Sequence, residues 1–108
     1  MSLHDLKRIR STMSSEWERR CWDAFMAPLP MLRLSGDAQE CYALQARQYV
    51  DNICWDAYDL VRRSFLRCCD ALIHNYKRSL SNQEEKQAKR EMYVSFMEGR
   101  IQYFRFKE

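Results

Sequence analysis

The chain has 108 residues, is 46% hydrophobic and 13% aromatic, and carries 18 basic and 15 acidic residues for a net charge of +3. That composition excludes a disordered polymer and predicts a single helical domain over 1–108 with one modest core. The longest apolar stretches are too short to span a bilayer, and the sequence pI of 8.7 sits just under the value of about 9 that committed nucleic-acid binders exceed.

Between Asp37 and Glu98 there is neither glycine nor proline. Such a run fits helices broken only by capped joints and leaves little room for sheet turns. The fold class predicted is all-α: a three- or four-helix antiparallel bundle with one long central helix.

The first helix is predicted over 1–26. Leu6, Ile9, Met13, Trp17 and Cys21 recur at steps of three or four and share one face. Ser15 and Glu18 form a capping box at which the helix can restart. An apolar loop follows over 27–36, where Pro28 and Pro30 forbid a regular helix. It holds Leu29, Met31, Leu32 and Leu34, which are either exposed or folded over the bundle end as a lid. Asp37 is the expected N-cap of the next helix, with Glu40 three residues on.

The stretch 37–80 is a long or broken helix. As one rod it would reach about 60 Å at 1.5 Å per residue, against a radius of gyration of about 13 Å for a compact domain of this length. Either it breaks, with Asp51–Asn52 the favoured joint, or it stays a rod and pairs with another chain. Val50, Cys54, Tyr58, Val61, Phe65, Cys68, Leu72 and Tyr76 make a heptad-like seam. A second stripe runs through Ile53, Ala57, Leu60, Cys69 and Ile73, which suits a helix packed on two sides.

Ser81 and Glu84 form a further capping box, and the last helix is predicted over 82–98 with Gly99 as its C′ stop. The aromatic tail 99–108 is expected as an extended segment or one more helical turn.

Motif chemistry points away from catalysis. Two glycines cannot build a phosphate-cradling loop, and no nucleophile, base and orienting group stand in a recognisable arrangement. Cys68 and Cys69 are adjacent, so the short paired spacing of a zinc site is missing, and no metal or cofactor is expected. Five cysteines, an odd number that includes this vicinal pair, together with a charged N-terminal segment, predict a reducing, cytoplasmic location. Arginine outnumbers lysine, which favours interfaces.

The function expected is that of a non-enzymatic intracellular protein-interaction module: an adaptor, inhibitor or assembly factor, assembled as a homodimer, with a protein partner. Its anchors would be Leu29, Met31, Leu32, Tyr103, Phe104 and Phe106, with Arg62, Arg63 and Arg67 as polar contacts. The alternative is a small helical nucleic-acid-binding protein, in which Lys7, Arg8, Arg10, Arg19 and Arg20 join the central arginines in gripping phosphates. Membrane-surface binding is not expected, because glutamates interrupt the basic face of the first helix.

Overall fold

Serine hydroxyls start four of the helices. In the computed structural model, which describes residues 2–53 and 58–107 with side chains for 2–53 and 60–99, the chain runs α1 (Leu3–Ser11), α2 (Glu16–Met26), α3 (Leu29–Leu32), α4 (Gly36–Asn52), α5 (Tyr58–Tyr76) and α6 (Asn82–Lys107). No strand occurs among the described residues, so the fold is all-α, as expected. Ser2 and Asp5 close a reciprocal capping box on α1. Ser15 accepts from the Glu18 amide at 3.1 Å, and Ser81 and Glu84 exchange two bonds of 3.2 Å. Each hydroxyl satisfies an amide that has no partner inside its helix.

The predicted first helix is divided. α1 ends where the Thr12 hydroxyl donates back to the Ile9 carbonyl at 2.6 Å, and α2 restarts after Ser15. The break lets α1 fold back along α2, with Leu6 and Ile9 against the core and Met13 buried beneath. Arg10 fastens the pair through a two-pronged bond to Asp23, at 2.8 and 3.0 Å.

Three other expectations are corrected. The cap of α4 is Ser35, whose hydroxyl accepts from the Ala38 amide; Asp37 instead sits in the first turn, where its charge favours the helix dipole. The segment 27–36 contains a helical turn, α3. Pro30 is tolerated there because an amide in the first turn has no helical partner to lose, and the Pro28 carbonyl accepts from Met31 and Leu32. The turn ends at Arg33, which is left-handed at φ 51° and ψ 45°. Finally, α6 does not stop at Gly99, so the segment 99–108 is helical in backbone as far as Lys107. Gly99 serves close approach instead: a Cβ there would stand 3.2 Å from the Arg20 Cβ of α2.

The long stretch breaks where the sequence suggested. α4 ends at Asn52, and Ile53 is extended at φ −77° and ψ 137°. The radius of gyration is 13.5 Å, the size of a compact chain and not of a rod.

α2, α4, α5 and α6 form the bundle. α2 packs against α6 and α4, and α5 bridges α4 and α6. Arg62 reaches Tyr93, Asp70 pairs with Lys89 and Lys77 with Glu85; rising numbers on α5 meet falling numbers on α6, so the two are antiparallel. At the centre Phe65 stacks between Phe25, at 5.0 Å between ring centroids, and Phe96, at 4.0 Å. Trp17 tilts against Phe96 from α2. Small residues Ala24, Ala43, Ala46 and Ala88 are fully buried beside these rings.

Tyr42 is buried, and its hydroxyl donates to the Phe25 carbonyl. That carbonyl lies in the last turn of α2, where no intrahelical amide can reach it. Burial raises the Tyr42 pKa, which keeps the phenol a donor. Tyr42→Phe removes the donor and leaves a buried acceptor; the expected loss is about 1–3 kcal/mol of unfolding free energy in urea titrations, with helix content unchanged.

Candidate functional site

α5 has two characters. Val61, Phe65, Cys69, Leu72 and Ile73 are buried, in keeping with the seam and stripe read from the sequence. Cys54 and Ala57 lie outside the described residues, as does the side chain of Tyr58. Leu60 departs from the pattern. It was expected on an inward stripe, yet it is 46% exposed, because nine residues of helix place it about 180° around α5 from the buried Cys69. Opposite the Phe65 face stand Arg63 and Arg67, both exposed.

Two separate shallow pockets lie along the seam between α4 and α5 and together make up its groove. One, of about 290 Å³, is lined by Tyr49, Asn52, Ser64, Arg67, Cys68 and Ala71. The other, of about 460 Å³, lies toward the far end of the same seam, where Ala38 and Cys41 of α4 face Asn75, Tyr76 and Arg78. Arg33 and Ser79 close that end. Between Ser64 and Asn75 the groove follows α5 for about 16 Å. Arginine is the only charged residue type lining either place.

The walls are held in position. Gln45 donates to the Tyr49 hydroxyl at 2.6 Å, and the Tyr49 ring meets Phe25 edge-on. Tyr76 meets Tyr42 edge-on at 5.2 Å. Arg33 donates to Glu84 at 3.1 Å and to the Ser79 carbonyl at 3.4 Å; Glu84, half-exposed, has its pKa lowered chiefly by its bonds with Ser81. Arg67 and Arg78 form no ion pair with any described acid.

The expected site residues are scattered. Leu29 and Leu32 are 7% and 1% exposed; they are core residues and cannot anchor a partner. Their segment is the lid, closed by the hydrophobic effect on the bundle end. Met31 is half-buried against the same core. Tyr103, Phe104 and Phe106 lie on the helical continuation of α6, with side chains outside the described residues. Arg62 is turned toward α6, where it donates to the Tyr93 hydroxyl at 3.2 Å and lies over that ring. Of the expected arginines, Arg67 alone lines the groove. Arg33, Tyr49, Asn75 and Arg78 were missed, because a groove between two helices follows from their register and not from either helix alone.

The first-helix cations are largely answered by local acids. Arg8 lies 3.6 Å from Asp5, Arg10 is held by Asp23, and Arg19 and Arg20 both reach Glu16, at 3.2 and 3.4 Å. Lys7 is exposed without an acid partner among the described residues.

Cys21 and Cys69 are buried, and desolvation raises both thiol pKa values. Each behaves as a small apolar filler. Cys41 is exposed on the α4 wall of the groove. No group of three metal-binding side chains assembles among the described residues, and no helix among them is long and apolar enough to cross a membrane. No family model, curated protein or solved structure matches this chain.

Leu32→Ala separates the lid from an anchor. The expected result is a loss of about 2–5 kcal/mol in chemical denaturation, with partner or self-association unchanged at temperatures where the variant stays folded.

Proposed function

We propose that this protein is a non-enzymatic intracellular interaction module, an adaptor, inhibitor or assembly factor that acts by occupying the surface of a partner protein. The observation that carries the reading is the α4–α5 groove: a concave surface of small, amide and aromatic side chains whose charges are all arginine. Arginine on the rim of a partly apolar surface is a composition of interfaces. The odd cysteine number and the vicinal pair support a reducing compartment.

A homodimer belongs to the same reading. The rod that would have paired two chains is gone, since α4 ends at Asn52. Among the described residues, the large apolar side chains left exposed for a second copy are Leu3 on α1, Leu44 on α4, Leu60 on α5 and Val94 on α6.

The competing reading, phosphate gripping by a nucleic-acid-binding protein, is weakened by the pairing of Arg8, Arg10, Arg19 and Arg20 with Asp5, Asp23 and Glu16. Each such pair removes a cation that phosphate contacts would need.

Salt decides between them. On a sizing column with light scattering, the purified protein is expected as a protein-only species with a normal 260/280 nm absorbance ratio. Its affinity for a single-stranded RNA oligomer is expected to stay in the non-specific range, weaker than about 10⁻⁶ M at physiological salt. Tight RNA binding that falls steeply as salt rises would overturn the reading. A mass near twice 13.1 kDa would establish the homodimer.

A further inference from the structure

Resting on the groove just described, we infer that its occupant is an acidic amphipathic helix of a partner protein. The first ground is charge. Arg67 stands at one end of the groove and Arg78 at the other, neither is paired with a described acid, and no carboxylate lines either pocket. Arg33 adds a third cation at the Arg78 end, part of whose charge is answered by Glu84.

The second ground is shape. Ala38, Cys41, Ser64, Cys68 and Ala71 line the groove, and side chains this small let a second backbone come close. The run of about 16 Å between Ser64 and Asn75 matches three turns of helix. A helix satisfies its own backbone, and no sheet edge exists among the described residues to receive an extended strand. The helix that fits carries carboxylates about eleven residues apart, one for Arg67 and one for Arg78, with small or apolar side chains between them.

The third ground separates this occupant from a nucleic acid. Base stacking needs free aromatic faces. Here the groove's two tyrosine rings, Tyr49 and Tyr76, are half-buried and already meet Phe25 and Tyr42 edge-on. The outer side of α4 also carries exposed Asp37, Glu40 and Asp51, which repel a phosphate chain but tolerate a helix that is acidic along one flank only. The charge pairs formed are rim pairs, so they set specificity and encounter rate more than total affinity.

The test is a titration of the ¹⁵N-labelled full chain with a synthetic peptide, followed by amide chemical shifts. The probe is an alanine- and leucine-rich helix of about eighteen residues with two glutamates eleven apart on its apolar face. Expected are saturating shifts at Ala38, Cys41, Ser64, Cys68, Ala71 and Asn75. Binding should weaken about tenfold in Arg67→Glu with Arg78→Glu, and less in the double glutamine variant. A peptide with lysines in place of the glutamates should restore binding to the charge-reversed protein. Absence of groove shifts at about 1 mM peptide, or affinity indifferent to the reversal, overturns the acidic helix. Two further titrations, with single-stranded RNA and with the protein's own dilution, separate the levels. Groove shifts with either of these but not with peptide leave the groove standing with another occupant. Shifts confined to a different face under all three remove the groove as well.

Discussion

Phe65 stacked between Phe25 and Phe96 fixes the rotation of α5, and with it everything the outer surface can present. The three rings come from three helices, so the stack sets their mutual depth as well as their orientation. Burial of each ring is worth about 1.5–3 kcal/mol, and the near-parallel contacts add to that. Once Phe65 points inward, a residue two positions on is turned about 200° away. Arg67 is therefore driven outward by the core itself. The recognition surface is a consequence of packing, and a rotation of α5 that brought Arg67 inward would unstack the rings.

Large rings demand small neighbours at native packing density. Ala24, Ala43, Ala46 and Ala88 meet that demand, and Cys21 and Cys69 fill the remaining space as thiols held protonated by burial. Gly99 belongs to the same logic. It is helical, and what it provides is room for α6 beside Arg20 of α2. Tyr42 brings polar order to this interior: its ring fills volume between α2 and α5 while its hydroxyl closes the last turn of α2.

Periodicity and capping chemistry made much of the fold legible. The seam through Val61, Phe65 and Leu72, the caps at Ser15 and Ser81 and the joint after Asp51–Asn52 all follow from local physics. What stayed hidden depended on neighbours. Gly99 carries a stop signal in sequence, and tertiary packing overrides it. Ser35 takes the cap from Asp37 because the chain leaving the left-handed Arg33 puts its hydroxyl, and not the carboxylate, under the Ala38 amide. Leu29 and Leu32 look exposed in a segment that holds two prolines, but an apolar loop beside an open bundle end is drawn onto it. The groove was the least legible of all, since Arg67 and Arg78 acquire a common role only when α4 lies alongside α5.

On this account the labour is divided: the Phe65 face of α5 holds the bundle, while Arg67 on its outer side and Arg78 beyond its end form no ion pair with a described acid. The most direct measurement is the thermal unfolding of Arg67→Glu with Arg78→Glu, followed by circular dichroism. Exposed residues free of structural partners change stability by no more than about 0.5 kcal/mol, so the melting temperature should move by less than about 4 °C. A larger fall would show that the arginines support the fold, and would contradict their assignment to a partner.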